Sequence, residues 1–467
     1  MNDPYPEVED EARAPGRALW RRLAVPGAVL AAGVAVIAAV SLVEAASQSE
    51  PLWQGAVLVP DAPLADDGVG VRYVASFRRL TEQSLPEPTS LLAELGAAPQ
   101  GEEVVAMLGL DQHERVVCAD VPREALEPLL ASGRWPEAGA GEVLAGDLAR
   151  FESFTLDGVA FHTVGRLGRC VAGLAFAYLL PEHETVAPLF SEAAGATRGW
   201  IAPEGLPLVV GEEEGADGEA TVEVVGGVTR TTTGLGLAGI VGLVLVAAGG
   251  SLAQIRLLRH VAQGRRGPLA AVAAEVSQHA VLLWAVHVLL YGLFFAGMLA
   301  ALGHPVANLR LTAFVGEQFL EGDLSYIGAA YTSGNVLKAS AATFTHNYLV
   351  ATLALTIAPS LLVPFAGLLK NVPTFGFIGF VMSPMWTGAA HELIYHSITM
   401  TLELEAYIVA CFVIALWPIR LVRGLIRDDL RAEAARGLRV VAEGALLAGL
   451  MLAIAAVYEA TTVILFQ

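Results

Sequence analysis

The stretch GLGLAGIVGLVLVAAGGSLAQI, residues 234–255, holds no charged side chain, and it ends against Arg256, Arg259, Arg265 and Arg266. A helix of this length rises about 33 Å, which matches the roughly 30 Å hydrocarbon core of a bilayer. Working outward, mostly apolar runs recur at 23–46, 281–302, 347–369, 372–388, 391–418 and 440–465. Across the whole chain of 467 residues, 55% are hydrophobic and only 16% are charged, well under the quarter typical of soluble domains. The expected fold class is a polytopic α-helical membrane protein of about seven spans.

The charge is unevenly placed. Of a net −19, the segment from Gln48 to Thr232 carries −18, with 29 acidic and 11 basic residues. That segment is expected to be an extracytoplasmic α+β domain inserted between the first two spans. An acidic surface of this kind argues against a nucleic-acid partner, which needs clustered Lys and Arg to neutralise phosphates. Within it, GVRYVASF, EVVAMLGL, RVVCAD and TVEVVGG read as strands. Asp157-Gly158, between two apolar arms, predicts a type I′ hairpin, because both turn positions need positive φ. PREALEPLLASG predicts a helix with Pro122 in its first turn and Gly133 as its C-terminal cap, and GEEEGADGE (211–219) predicts a loop.

Arginines set the orientation. Arg17, Arg21 and Arg22 put residues 1–22 in the cytoplasm as a tail. The basic loop 256–280 and the basic segment from Arg420 to Arg439 belong there too. An even number of spans must separate these segments, so the short apolar piece 372–388 has to cross; a re-entrant hairpin is the alternative. Segment 306–345 reads as an interfacial or re-entrant helix pair turning at Gly334 and Asn335. The run 23–46 is too long and begins too late for a cleaved signal, and it reads as a signal anchor.

Two resemblances add to this reading. Residues 121–169 carry Gly133, Arg134, Pro136, Gly141, Glu142, Val143, Gly158, Phe161, Val164 and Gly165 in the order of the periplasmic core domain of MacB/FtsX-type ABC transporter permeases, which this stretch resembles. From about Ala342 to Gln467, THNYLVATLALTIAPSLLVPFAGLLKNVPTFGFIGF and HELIYHSITMTLELEAYIVACF resemble the stage II sporulation protein M (SpoIIM) family. Asn347 stands for the family's opening amide, and Pro384 with His391-Glu392 approximates its Pro-His-Gly-x-x-Glu phrase without the adjacent Pro-His-Gly; Glu403 or Glu405 is the other alignment of the family glutamate.

Together the resemblances imply a permease-like subunit of an ABC-type transport or mechanotransmission complex in the bacterial inner membrane. Its ATP would sit on a separate cytoplasmic ATPase, alongside other membrane subunits, further copies of the chain or an extracytoplasmic protein partner. A non-transporting scaffold for envelope proteins is the second expectation, and a secondary carrier or channel the third. Lys338 and Lys370 are the only lysines, and neither sits in a G-x-x-x-x-G phosphate loop. No cofactor, metal or enzymatic centre is expected in this chain.

The candidate site is intramembrane. Glu392, His396 and Glu403 share one face of a helix at about 100° per residue, while Glu405 points elsewhere. Charges are costly in hydrocarbon, so this stripe should face protein or water. It could relay protons or line a polar path, or simply lock helices to His346, Asn347, Glu405 or Glu459. His287 and Tyr291, four apart, read as an interhelical packing pair. Arg256, Arg259, His260, Arg265 and Arg266 form the candidate ATPase-contact loop, with membrane anchoring as the alternative. Cys118 and Cys170 can pair in an oxidising compartment or stay as two buried thiols.

Overall fold

The computed structural model describes residues 15–47, 55–58, 73–81, 84, 114–169, 171–202, 223–226, 229–263 and 267–466. It forms two compact units, a sheet unit (44–231 with 304–317) and a helical unit (the remaining residues). The expected strand EVVAMLGL and the loop 211–219 lie outside the described residues.

The sheet unit contains one mixed sheet in the order β10-β1-β9-β2-β3-β8-β5-β7-β4, with β6 paired to β7. The strands are β1 (Gly55–Leu58), β2 (Tyr73–Arg79), β3 (Arg115–Ala119), β4 (Leu130–Gly133), β5 (Glu142–Ala145), β6 (Ser153–Leu156), β7 (Val159–Leu167), β8 (Ala177–Pro181), β9 (Thr197–Ala202) and β10 (Glu223–Gly226). β3 pairs in parallel with β8, and β5 with β7; the other pairings are antiparallel. All five residues of β3 are buried. Val117 and Ala119 join Phe77, Leu144 and Leu179 on one face, while Val116 and Cys118 join Phe161, Tyr178 and Leu180 on the other. A strand covered on both faces reads as an unbroken apolar run, which is why RVVCA lacks alternation.

The hairpin turn is as its residue types require. Asp157 has φ 48° and Gly158 φ 81°, and Leu156 faces Val159 across them. The helix expected over 122–133 is corrected. Only Arg123–Leu126 is α-helical (α2), a 3-10 turn follows at Glu127–Leu129, and Leu130–Gly133 is β4. Pro128 cannot donate to the helix ladder, and pairing with β7 captures the rest. Gly133 is therefore no helix cap; its φ of 80° lets the strand pass close to Val164 O.

Cys118 is a free thiol, 6% exposed, which corrects the disulfide alternative at this position; Cys170 lies outside the described residues. Its side chain faces the packed Phe161–Tyr178 cluster. Burial, with Glu182 adding, pushes the thiol up to about 12. Cys118 is therefore expected to resist alkylation at pH 8 in the folded protein and to react on denaturation, which thiol labelling with mass detection will show.

Three carboxylates of this unit titrate below their usual range, each because an arginine hydrogen-bonds it: Glu127 by Arg123, Glu142 by Arg134 and Asp157 by Arg78. A carboxylate depressed in the folded state stabilises it above its unfolded value of about 4 and loses that contribution as pH falls through the folded value. The melting temperature of the sheet unit is accordingly expected to hold from pH 7 to about 4.5 and to fall below that.

Among the described residues of the helical unit, five helices are long and apolar enough to cross a membrane, within α1 (Pro15–Ser47), α3 (Thr233–Gln263), α5 (Ala280–Gly303), α11 (Ala389–Ile426) and α12 (Leu430–Phe466). Between α3 and α5 lies α4 (Ala270–Gln278). α6 (Pro305–Leu320) follows α5, and its residues up to Glu317 belong to the sheet unit, where Arg310 is buried near Glu114 and Arg150. α7 (Ser325–Thr332) then meets the turn at Gly334, φ 65°. Asn335 caps the next helix, its Oδ1 accepting from Lys338 N at 3.0 Å.

The expected spans 347–369 and 372–388 are redrawn. α8 (Val336–Phe344), a π-helix over Thr345–Ile357 and α9 (Ala358–Leu362) run consecutively, and α10 (Ala366–Val381) follows. The reversal falls at residues 363–365, inside the first expected span. Pro364 ends the helix, and Phe365 takes φ 64°. Ser360 Oγ accepts from Gly367 N at 2.7 Å and so staples the reversal. At 16 residues α10 rises about 24 Å, shorter than the five long helices.

Among the described residues, glycines let helices meet backbone to backbone at several places. A Cβ on Gly33 would lie 2.6 Å from Gly242 O, and one on Gly249 would lie 2.6 Å from Leu30 N, so α1 and α3 approach as closely as small residues permit. Gly379 of α10 likewise lies against the Phe294 carbonyl of α5. α11 is the axis of the unit: Ala406 and every residue from Ile408 to Leu416 are buried. A helix apolar all round belongs inside a bundle.

Candidate functional site

Two glutamates two residues apart on α11 point to opposite sides, since about 200° of helix separates them. Each is held by a different set of helices.

Glu405, 2% exposed, faces α3 and α5. Its Oε1 accepts from Tyr291 OH at 3.1 Å and hydrogen-bonds Ser251 Oγ; its Oε2 lies 3.1 Å from His287 Nε2. His287 Nδ1 lies 2.8 Å from Leu283 O, which can only accept, so Nδ1 carries a proton. The contact between Nε2 and Oε2 then holds one proton, on the imidazole or on the carboxyl, and the pair is neutral as a unit either way. Three polar side chains thus converge on one carboxyl within the apolar bundle. His287 and Tyr291 were legible as a pair at helical spacing; their common partner was not.

Glu403 faces the other way. Asn347 Nδ2, in the first turn of the π-helix, donates to its Oε1 at 2.7 Å. Glu459 of α12 lies near it, with Tyr331 of α7 beside Glu459. Thr352 and Thr356 donate to carbonyls five residues back, Asn347 O at 2.7 Å and Ala351 O at 2.8 Å, and so follow the wide π turn. π segments concentrate where a helix must aim side chains away from regular spacing. His346 points instead to Tyr326, Nδ1 to OH at 3.0 Å.

The stripe is therefore spread out. Glu392 is exposed in the first turn of α11, and Glu403 lies eleven residues on, about 16 Å along the axis. His396, between them, is half-buried. Glu392 thus faces the surface of the helical unit rather than its interior. Glu392→Gln is expected to shift stability by less than about 0.5 kcal/mol in a detergent melting assay.

A third polar group joins α4 to the turn between α11 and α12. Arg420, 7% exposed, bonds Glu275 of α4 and donates to Glu433 at 2.8 Å. Glu433 also meets Arg436 at 2.9 Å, and Glu275 meets His279 at 2.9 Å. Glu443 accepts from the backbone N–H groups of Ala271 and Val272 at 2.6 and 3.1 Å, while Arg439 grips its other oxygen at 2.8 Å. A carboxylate at the start of a helix satisfies orphan donors and complements the helix dipole. α4 is thereby locked, with Val272, Ala273, Glu275 and Val276 all buried. In the sequence Arg420, Arg436 and Arg439 read only as orientation signals, and nothing there pointed to Glu275, Glu433 or Glu443.

Of the candidate contact loop, Arg259 is exposed, His260 half-buried, and Arg256 donates to Arg22 O at 2.6 Å. Arg265 and Arg266 lie outside the described residues. Among the described residues no group of three His, Cys, Asp or Glu side chains could hold a metal ion.

Compared with known proteins, the chain matches no family model, no curated protein and no solved structure.

Proposed function

We propose that this chain is the permease-like membrane subunit of an ABC-type transport or mechanotransmission complex, driven by a separate cytoplasmic ATPase. One observation carries the reading. The first and last strands of the sheet unit pair with each other, Gly55 to Gly226 through Leu58 to Glu223, and the helices that precede and follow them, α1 and α3, touch through Gly33, Gly242 and Gly249. The chain thus reaches β1 from, and leaves β10 into, one glycine-packed helix pair, while a second excursion into the sheet unit, 304–317, follows α5. In this reading, a rotation or slide of that pair is what the sheet unit receives.

The chain also enters the sheet unit after α1, leaves it into α3 and returns to it after α5. This alternation fits a cytoplasmic N-terminus, an extracytoplasmic sheet unit and α4 on the cytoplasmic side. Counting the 336–362 helix and α10 as crossings keeps the arginines of 420–439 on α4's side and totals seven spans. Arg259 and its basic neighbours then face the ATPase.

The second reading, a SpoIIM-like scaffold for envelope proteins, is favoured by the use made of Glu403 and Glu405, both engaged in interhelical hydrogen bonds. A substitution that wedges the pair separates the two. A Cβ on Gly33 would lie 2.6 Å from Gly242 O, so Gly33→Val forces α1 and α3 apart. In a transmitting subunit, Gly33→Val abolishes ATP-dependent output while the variant still inserts and holds its partners. Full output from Gly33→Val rejects transmission through α1 and α3.

A further inference from the structure

The buried carboxylates of the helical unit each have a basic partner. Arg420 holds Glu275 and Glu433, Arg439 grips Glu443, and His287 meets Glu405. Glu403 of α11 and Glu459 of α12 differ. Both are half-buried inside helices apolar enough to cross a membrane, and Glu403 lies within range of the charge on Glu459. Among the described residues no basic side chain acts on either one.

The groups that face them from the neighbouring elements are neutral. From the π-helix, Asn347 Nδ2 donates to Glu403 Oε1 at 2.7 Å. From α7, the Tyr331 hydroxyl bonds Glu459 and lies 3.2 Å from Thr343 Oγ1 of α8. Tyr407, one turn further along α11, is near both carboxylates. His346 is turned away to Tyr326. Thr399 stands one turn before Glu403 on the same face of α11. It is 3% exposed, and its Oγ1 has no hydrogen-bond partner among the described residues. Helix side chains lean toward the N-terminus, so the Glu403 carboxyl leans over this hydroxyl. A buried hydroxyl left unpaired is costly, and two carboxylates close together in an apolar bundle do not both stay charged with nothing positive between them.

We infer that Glu403 and Glu459 together bind one small monovalent cation, a proton or an alkali ion, with Thr399 Oγ1 as a further oxygen. Asn347 holds Glu403 in place for it. Hard oxygen donors suit such a cation, and two carboxylates with one hydroxyl fall short of the six to eight oxygens that calcium takes. The cation ties α11 to α12 where α7 and the π-helix meet them, so its arrival or departure alters how these segments pack. The inference does not depend on the ATPase reading.

The test is thermal melting of the purified full chain in detergent between pH 6 and 9, in sodium chloride and in choline chloride at equal ionic strength. In choline, wild type is expected to lose about 3 °C or more relative to Glu459→Gln as the pH rises, because a bound proton stabilises only below the pH at which it leaves. Saturable recovery by sodium at pH 9 identifies an alkali-ion site; no recovery identifies a proton site. Glu403→Gln, like Glu459→Gln, is expected to lose both dependences, and Glu392→Gln, at the exposed start of α11, to keep those of wild type. A wild type that responds to pH and sodium no more than Glu403→Gln and Glu459→Gln do overturns the inference. A response that Glu392→Gln abolishes as fully as they do overturns it as well.

Discussion

Arg420→Ala is expected to destabilise the helical unit by about 3–5 kcal/mol, the largest effect of any single substitution proposed for this chain. Glu275 is 5% and Glu433 2% exposed, and both carboxylates lean on this one guanidinium. Removing it leaves two like charges buried together, which is worse than losing a favourable contact. Chemical unfolding in detergent, followed by tryptophan fluorescence, reads the loss. The triple variant Arg420→Met, Glu275→Gln, Glu433→Gln is expected to recover most of it, because the desolvated charges go together. If Arg420→Ala unfolds like wild type, the cluster is hydrated and α4 is not locked in solution.

The second large effect is at Glu405. Glu405→Ala is expected to cost about 3 kcal/mol, since it strands the buried His287 Nε2 and Tyr291 OH at once, while Ser251 Oγ keeps Ala247 O at 2.9 Å. Glu405→Gln is expected to stay within about 1 kcal/mol of wild type. An amide keeps an acceptor for Tyr291 and offers an N–H to His287 Nε2, replacing the one proton the pair holds. Equal losses in both variants would mean that the negative charge, not the hydrogen-bond count, holds α11 against α3 and α5.

How much of this could be read from the sequence depended on the range of the cause. The long apolar helices follow from run length, and the Asp157-Gly158 turn from two adjacent residue types. The limits of the 347–369 span did not follow, because hydropathy is blind to a reversal at Pro364-Phe365 made inside an apolar run. The π turns at Thr345–Ile357 leave no compositional mark either. The helical wheel of 391–418 rightly set Glu405 apart from Glu403. It could not say that Glu405 meets His287, 118 positions away, or that Glu403 meets Asn347, 56 away. Pro128 was the readable warning against a helix through Gly133, and its effect was decided by pairing with β7.

The same limit applies to α4. Glu275, Arg420, Glu433 and Glu443 are scattered over 169 positions of sequence, yet they close on one short helix. A basic loop after a span signals orientation first. That α4 is rigidly tied to the start of α12 is a tertiary fact, and it suits a segment through which a cytoplasmic partner would push.

The most direct measurement of the central proposal is purification of the full chain from its native membrane in mild detergent, with the co-purifying chains identified and ATP hydrolysis assayed. The expected result is a nucleotide-hydrolysing chain in stoichiometric amount, lost when Arg259, Arg265 and Arg266 are changed to glutamate while the melting curve stays unchanged. Recovery of a cell-wall hydrolase or other envelope protein with no ATPase, and with ATP hydrolysis at background, would contradict it.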